Sequence, residues 1–393
     1  MCRPGGRRTM ASKGKGAEGL DGDGGKEPDS EYEVRPFEPG DRGEVCSLYG
    51  SVFGETATVE WFDWKYAENP FFEGVPIVLA ERDGRIVGAR PFFALEMYAG
   101  DRRTLALQPG DTMVHPEHRR RGLFSRMTEA AIERYDDREP AFFFNFPNDR
   151  SRPGYLDMGW RLVSETPIHY RIQNPAGVLG VRTDNRVGEL VDRCSRSVAA
   201  GVLDAIEGFS TVPTADVTIE RRSDVPAAAL AGLYGSDVPE RIHARRSERF
   251  YQWRFANPRG TYTTYLARRD GDLVGSAVVG SQREGGTTVR KLLDFLPMGA
   301  AAAGSQDVLA SLLEALIADS DSADILAVHG GVLDEDVLAG LGFLPDDSFP
   351  LARCSSPTTL VVRSVGTEEW TLGDRDLTSI EDWQLSFAER DTA

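Results

Sequence analysis

The stretch WFDWKYAENP at residues 61–70 has a counterpart, FYQWRFANP, at residues 250–258. In both, a tryptophan is followed by a cation, an aromatic residue and an alanine, and Asn-Pro closes the stretch. Two more pairs match: LAERDGRIVG at 79–88 with LARRDGDLVG at 266–275, and LYG at 48–50 with LYG at 233–235. All three pairs lie 185 to 189 residues apart. This common register predicts that the chain contains two copies of one structural unit.

Each copy shows the same alternation of strand and helix patterns. An extended segment precedes a helix, and a second helix, rich in aromatic residues, ends at Asn-Pro because proline disfavours helix in the residue before it. Asp-Gly then stands between two apolar runs as a hairpin turn. The later elements are predicted as strand, helix and buried strand: 105–114, 124–135 and 141–146 in the first copy, and 289–296, 306–318 and 323–328 in the second. The chain is therefore predicted to be an α/β protein with two mixed central sheets, each flanked by helices.

The repeat also sets the predicted domain boundaries. The expected order is a disordered tail (1–30), an N-terminal domain (31–172), a linking helix (173–213), a second domain (214–366) and a C-terminal tail (367–393). The first 30 residues are rich in Gly, Asp, Lys and Ser and hold almost no apolar groups. The C-terminal tail has no assigned element, and we expect it to cover the interface between the domains.

Composition narrows the possible partners and the compartment. The net charge of −17 disfavours nucleic acid and anionic lipid as general partners. Only five of the 45 basic residues are lysines, and such a surface resembles those of proteins adapted to a high-salt cytoplasm. The four cysteines form no CxxC pair, which fits a reducing compartment. Because no apolar run approaches the roughly 20 residues of a membrane helix and no signal peptide is evident, we predict a cytoplasmic protein without a membrane span.

The segment VHPEHRRRGLFSRM at 114–127 carries the clearest functional pattern. A strand ends at its start, a short turn with Arg119, Arg120, Arg121 and Gly122 follows, and a helix begins near Phe124. Backbone N–H groups at a helix N-terminus, with the helix dipole, form an anion site. The arginines add charge suited to a pyrophosphate.

This segment resembles the acyl-CoA pyrophosphate loop of the GCN5-related N-acetyltransferase (GNAT) superfamily, whose pattern is Q/R-x-x-G-x-G/A. Arg119 and Gly122 match that pattern, whereas Phe124 replaces the last small residue. The resemblance implies two tandem GNAT-like domains, the second degenerate because it lacks the arginine-rich loop. It also implies acetyl-CoA or another acyl-CoA as co-substrate. The residues expected to contact the cofactor are Met113, Val114, Arg119, Arg120, Arg121, Gly122, Leu123, Phe124 and Asn148.

A second element, YLDMGW at 155–160, resembles the superfamily's Y-x-x-x-G-F element. The resemblance implies that the central strands part near the thioester and that the hydroxyl of Tyr155 protonates the departing CoA thiolate. A phenol near pKa 10 can donate to a thiolate to which it is hydrogen-bonded. Asn145 and Asn148 are expected near the pantetheine arm or the acceptor, and a turn-forming role is the alternative for Asn148.

The attacking amine must be neutral, which requires a base or a chain of waters. Asp111, at the end of the parted strand, is the first candidate base, and Glu96 on the preceding strand is the second. No metal is predicted, because His115 and His118 are three residues apart and His169 is isolated.

The predicted activity is the transfer of an acyl group from acyl-CoA to a primary amine by direct attack. The acceptor is expected to be a small-molecule or glycan amine, and the sequence does not define the oligomeric state. Two alternatives are a non-catalytic acyl-CoA-binding sensor or scaffold, favoured by Phe124, and a Fem-type aminoacyl transferase. The second alternative is disfavoured because tRNA binding fits poorly with an acidic chain.

Overall fold

The computed structural model describes residues 31–136, 140–174, 214–284, 286–298, 305–349, 351–353, 357–366 and 369–391. The predicted N-terminal tail and linking helix lie outside these residues. No helix among the described residues has both the length and the apolar character that crossing a bilayer requires.

The first half of the chain follows the predicted order of elements. Its elements are β1 Glu33–Pro36, α1 Arg42–Phe53, α2 Val59–Phe62 with a π-helical turn Asp63–Ala67, β2 Ile77–Arg82, β3 Arg85–Ala99, β4 Arg102–Pro109, β5 Met113–Val114, α3 Leu123–Tyr135, β6 Phe142–Asn145, α4 Arg152–Asp157, β7 Arg161–Thr166 and β8 Ile168–Ile172. The predicted strand 105–114 is interrupted, because Asp111 adopts a left-handed conformation with φ +45° between β4 and β5.

The second half repeats this order. Its elements are β9 Thr218–Arg222, α5 Ala227–Ser236, β10 His243–Ala244, α6 Glu248–Arg254, β11 Thr261–Arg269, β12 Asp272–Glu284, β13 Thr287–Leu296, α7 Ser305–Ala318, β14 Ile325–His329, α8 Glu335–Gly340, β15 Leu344–Pro345, β16 Thr358–Ser364, β17 Thr371–Leu372 and β18 Arg375–Asp376. Short 3₁₀ turns lie at Pro39–Asp41, Pro116–His118, Leu351–Arg353, Ile380–Asp382 and Phe387–Glu389.

Both Asp-Gly hairpins form as predicted. Asp83 and Gly84 have φ of 51° and 72°, and Asp270 and Gly271 have φ of 52° and 92°. Positive φ at both central residues is the requirement of a type I′ turn, whose twist matches that of the flanking strands. These turns fix the pairing of β2 with β3 and of β11 with β12.

Apart from the separate pair β17-β18, the strands form two mixed sheets with the same order. The first runs β1-β2-β3-β4-β6-β16-β7, with β5 and β10 also paired to β3, and the second runs β9-β11-β12-β13-β14-β8-β15. The parallel pairs are β4 with β6 and β13 with β14. The α/β architecture with two mixed sheets flanked by helices is therefore confirmed.

The two halves exchange one strand each. The strand between β6 and β7 is β16, from the end of the chain, and the corresponding strand of the second sheet is β8, from the first half. The predicted boundaries at 172 and 366 leave β8 in the first segment and β16 in the second, although each strand pairs in the sheet of the other half. No strand was predicted from the sequence at the positions of β8 and β16, and their pairing partners lie far away in sequence.

Corresponding tryptophans of the two copies face each other. Trp64 donates its indole N–H to the carbonyl oxygen of Trp253 (2.7 Å), and Trp253 donates to the carbonyl oxygen of Trp64 (2.8 Å). Their rings stack with centroids 6.2 Å apart. Since each residue makes the same contact with its counterpart, the copies are related locally by an approximate two-fold axis.

The C-terminal tail contacts both halves of the chain. Gln108 of β4 donates to the carbonyl oxygen of Glu389 (2.9 Å), and its own Oε1 accepts from the backbone N–H of Asp391 (2.6 Å). The Glu389 carboxylate pairs with Arg246, which also binds Asp294 of the second sheet at 2.9 Å. Arg246 and Glu389 are fully buried.

One buried histidine on this interface predicts a pH dependence of stability. His243 of β10 donates from Nδ1 to the carbonyl oxygen of Arg241 (2.6 Å), and its Nε2 accepts from the hydroxyl of Tyr234 (2.8 Å). Burial lowers the pKa of His243 to about 4. The neutral ring therefore contributes stability that is complete above pH 6.5 and is lost as the pH falls from 6.5 to 4. Between pH 7 and pH 5 this one residue should lower the free energy of unfolding by about 2 kcal/mol.

Urea unfolding of wild type and His243→Gln at pH 7 and pH 5, in high salt, measures this contribution. We expect the glutamine variant to be less stable at pH 7 but to lose about 2 kcal/mol less than wild type on acidification. If wild type and His243→Gln lost the same free energy of unfolding between pH 7 and pH 5, His243 would not be the source of this pH dependence.

Candidate functional site

The loop before α3 presents an uncapped helix N-terminus. Arg120 and Gly122 both have positive φ (63° and 71°), so the chain turns sharply into the helix. Gly122 occupies the N-cap position, and no side chain caps the helix. The first helical hydrogen bond joins the N–H of Arg126 to the carbonyl of Gly122 (3.0 Å), so the preceding amides have no acceptor within the helix. Such alternating backbone conformations and unpaired amides form an anion site.

The three arginines of this loop lie on the surface around that site. Arg119 donates from Nε to the carbonyl of Val114 (3.1 Å), which ties the loop to the end of β5. Arg121 lies 3.6 Å from a carboxylate oxygen of Glu31. A non-glycine residue in the conformation of Arg120 costs about 1–3 kcal/mol, and strain of this kind tends to occur at binding sites.

The central strands of the first sheet part next to this loop. Strands β4 and β6 pair only at Ala106 with Phe142 and at Leu107 with Phe143. Beyond these pairs the chain turns at Asp111, and β5 pairs with β3 instead of β6. The result is the separation of central strands that the resemblance implied.

Tyr155, on α4, is only 3% exposed and lies where the strands part. Its hydroxyl oxygen accepts from Nη2 of Arg90 (2.9 Å) and from Nδ2 of Asn145 (2.7 Å). The ring packs edge-on against Trp160, with centroids 4.8 Å apart, and against Phe124 at 5.5 Å. Since both lone pairs of the oxygen are used by donors, the phenol proton is directed to a further partner.

Asp111 sits in a buried charged cluster one residue before Thr112. Its Oδ2 accepts from Nζ of Lys65 (2.6 Å) and from the hydroxyl of Tyr66 (2.6 Å), and Asp391 lies 3.5 Å from the same Nζ. Burial opposes the charge of Lys65, but attraction by both carboxylates outweighs it and raises the lysine pKa. Asp111 is thus an ion-paired carboxylate at the edge of the gap between the strands.

Glu96 does not reach this region. It lies six residues beyond Arg90 on β3, about 20 Å along an extended strand. Its carboxylate pairs with Arg245 (3.0 Å) and Arg103 (3.5 Å). The role of Glu96 as the second candidate base stays a prediction, and strand geometry separates it from Arg90, the partner of Tyr155.

Three other residues predicted to contact the cofactor have side chains that are buried or occupied in a turn. The side chains of Met113 and Leu123 are buried in the core, so only their backbone faces the loop. Asn148 accepts at Oδ1 from the N–H groups of Arg150 (3.1 Å) and Ser151 (3.0 Å), which is the turn-forming role considered from sequence.

Two histidines and a glutamate of the loop lie close enough together to form a possible metal site. The potential ligand atoms of His115, Glu117 and His118 lie within 4.8 Å of one another. His118 Nδ1 is 3.0 Å from the hydroxyl of Tyr32. Burial and the nearby cation of Arg82 lower the pKa of His118. The sequence did not predict this cluster, and the predicted absence of a metal stays a prediction.

Two further residues near Tyr155, Arg90 and Thr112, were not predicted from the sequence. Arg90 Nη1 donates to Thr112 Oγ1 (2.5 Å). The available signal was a single arginine in the otherwise apolar run IVGARPFFAL at 86–95. A charged residue in a strand with both faces buried requires a partner.

Residues 33–163 match the model of a family described as an acetyltransferase (GNAT) domain. This part of the chain is a GNAT domain. The match contains the parted strands, the loop before α3 and Tyr155. No curated protein matches the sequence.

Solved structures resemble a longer part of the chain than the family model matches. A GCN5-related N-acetyltransferase from Anabaena variabilis has a TM-score of 0.56 at 11% identity, covering 85% of this chain and 72% of that one. A probable N-acyltransferase from Enterococcus faecalis has a TM-score of 0.57 at 11% identity, with the same coverage. A GCN5-related N-acetyltransferase from Kribbella flavida has a TM-score of 0.51 at 14% identity, covering 85% and 71%. At these identities the likeness concerns the fold.

Proposed function

We propose that this protein is an acyl-CoA-dependent N-acyltransferase that transfers an acetyl group to a primary amine by direct attack. The observation that carries the proposal is the buried hydroxyl of Tyr155, whose oxygen accepts from Arg90 and Asn145 where the central strands part. The uncapped N-terminus of α3 lies next to it, inside the segment that matches the GNAT family.

The loop at 115–122 is suited to the pyrophosphate of CoA. Its unpaired amides at the start of α3 would bind phosphate oxygens, and the exposed side chains of Arg119, Arg120 and Arg121 would add positive charge around them. Val114 and Phe124 are half-buried beside the gap and are proposed to contact the pantetheine arm. The same loop would accept longer acyl-CoAs, so acetyl is the simplest member of the proposed donor class.

The proposed reaction forms a C–N bond and breaks a C–S bond. The neutral amine attacks the thioester carbonyl carbon, and the departing sulfur takes the proton of the Tyr155 hydroxyl. The amine nitrogen loses one proton to water, and solvent returns one to the phenol oxygen, so protons balance over the cycle. General-acid assistance of this kind typically contributes about 10²- to 10⁴-fold to a rate.

We propose that Asp111 attracts and orients the protonated amine. The carboxylates of Asp111 and Asp391 share the single cation of Lys65, so this cluster favours a further cation at the edge of the gap. Deprotonation would then pass through water, with Asp111 as the proposed carboxylate acceptor. A small-molecule or glycan amine is the proposed acceptor class.

The second half is proposed to support the first without cofactor chemistry of its own. It supplies β16 and β10 to the first sheet, and the tail from 369 to 391 packs against Gln108. The part of the second half that corresponds to the arginine-rich loop, residues 299–304, lies outside the described residues, and its sequence contains no arginine.

Acetyl-CoA calorimetry in high salt on wild type, Gly122→Gln and Gly122→Glu tests the cofactor site. A Cβ at position 122 meets nothing within 4 Å, so neither side chain is blocked sterically, but both suffer the positive φ. We expect Gln to weaken binding roughly tenfold, because a side chain strained at positive φ shifts the loop toward conformations that do not bind. Glu should weaken it by roughly another 10- to 100-fold, because it repels the pyrophosphate.

The Gln variant is the matched control, since it differs from Glu only in charge. The gap between the two variants should narrow as salt rises, because screening weakens the repulsion. Equal affinities of the two variants would contradict pyrophosphate binding at this loop. Wild type that binds acetyl-CoA but acetylates no amine would favour the sensor alternative, and wild type that binds no acyl-CoA would exclude the proposed function.

A further inference from the structure

Arg90 is a buried cation without a matching anion. It is 0% exposed, on β3 in the interior of the GNAT domain. Among the described residues, no carboxylate lies within 4.0 Å of its guanidinium, and its Nε has no hydrogen-bond partner. The fully buried Arg246, by contrast, pairs with both Asp294 and Glu389. A buried charge is unfavourable unless something nearby compensates it.

The contacts of Arg90 hold its guanidinium against the phenol of Tyr155. Nη1 donates to Thr112 Oγ1 (2.5 Å), and Nη2 donates to Tyr155 Oη (2.9 Å). The guanidinium carbon lies 4.7 Å from the ring centroid of Phe124 and 5.2 Å from that of Tyr155. Both aromatic faces attract the cation, but neither neutralises it.

We propose that Arg90 is a positioning residue that acts through Tyr155. It fixes the phenol oxygen and stabilises the negative charge left on that oxygen when its proton passes to the departing thiolate. The inference rests on the proposed function. In this scheme the charge of Arg90 is uncompensated in the resting protein and is matched by a phenolate only during the reaction. Stabilisation that grows toward the transition state accelerates the chemical step.

A double-mutant cycle separates this role from a structural one. It uses wild type, Arg90→Gln, Tyr155→Phe and the double variant, with acetyl-CoA as donor and the most active acceptor among glucosamine, spermidine and lysine methyl ester. When Tyr155 is present, Arg90→Gln should lower kcat by about 10- to 100-fold, with KM for acetyl-CoA within about threefold. In the Tyr155→Phe background the same change should alter kcat by no more than about twofold, because no phenol remains to act on.

The variants Arg90→Lys and Thr112→Val cover the case in which the glutamine variant does not fold. Lysine keeps the charge and should restore part of kcat, whereas Thr112→Val loosens the guanidinium and should lower kcat only when Tyr155 is present. Equal losses in the two backgrounds would show that Arg90 acts structurally and would overturn the inference while leaving the proposed function in place. A wild-type protein that acetylates none of the three amines would reject both.

Discussion

Replacing Tyr155 with phenylalanine is expected to lower kcat by about 10²- to 10⁴-fold and to leave the Kd for acetyl-CoA within a few-fold. The hydroxyl is buried, and its proton is needed only when the C–S bond breaks. The ring itself packs against Trp160 and Phe124, so phenylalanine retains the shape of the site. Steady-state kinetics with a saturating amine, together with calorimetry, separates the two quantities.

The same substitution should also lower the stability of the protein. Without the phenol oxygen, Arg90 Nη2 and Asn145 Nδ2 lose a buried acceptor. Leaving a buried donor unsatisfied costs about 1–3 kcal/mol. Thermal unfolding therefore has to accompany the kinetics, so that a loss of kcat is measured on folded protein.

Tyr135→Phe is the matched control. Tyr135 is 5% exposed and packs in the same hydrophobic cluster, but it lies at the far end of α3 from the loop. We expect this variant to keep kcat within about twofold of wild type, because a hydroxyl distant from the reacting atoms contributes to stability rather than to transition-state charge. If Tyr155→Phe retained wild-type kcat, Tyr155 would be excluded as the general acid, and the proposed cofactor loop would be unaffected.

The second large effect concerns the exchanged strands. The fragments 1–213 and 214–393, produced separately, are expected to aggregate or to remain unfolded. The first fragment lacks β16, which lies between β6 and β7, and the second lacks β8, which lies between β14 and β15. When the intervening strand is missing, the two strands beside it expose unpaired backbone hydrogen-bonding groups along their edges.

The loss of buried apolar surface also destabilises the separate fragments. Leu360, Val361 and Val362 of β16 are at most 1% exposed, and fully burying side chains of this kind is worth about 1.5–3 kcal/mol each. Summed over the three, this approaches the whole stability of an ordinary domain, about 5–15 kcal/mol. The reciprocal hydrogen bonds of Trp64 and Trp253 are lost as well.

Co-expression of the two fragments supplies the control. Together they contain every strand, so we expect a one-to-one complex that co-purifies and unfolds in a single transition. Circular dichroism and denaturant unfolding of each fragment alone provide the comparison. A fragment 1–213 that is soluble alone and unfolds cooperatively would contradict the structural requirement for the exchanged strand.

Local chemistry explains which parts of the fold were predictable from sequence. Asp83 with Gly84 and Asp270 with Gly271 specify hairpins because these residues tolerate positive φ. The helices before and after the sheets follow from periodicity and from Asn-Pro endings. The exchange of β8 and β16 was not predictable, because strand pairing between residues 153 to 222 positions apart leaves no local pattern.

The site shows the same division. Motif spacing indicated the arginine-rich loop and Tyr155, and the structure places them at one end of the parted strands. Motif spacing did not indicate that Arg90 and Asn145 both donate to the phenol oxygen, or that Lys65 pairs with Asp111. Nor did motif spacing indicate how far Glu96 lies along β3, where six residues at about 3.3 Å each separate it from Arg90.

The sequence by itself determined the duplication, the order of strands and helices in each copy, and the loop that precedes α3, because each of these depends on neighbouring residues. Only the tertiary structure decided which half completes each sheet, which carboxylate lies at the gap between the strands, and which buried cation faces the phenol. These features depend on contacts between distant segments, where the free energy of packing and of charge burial selects partners that local sequence does not specify.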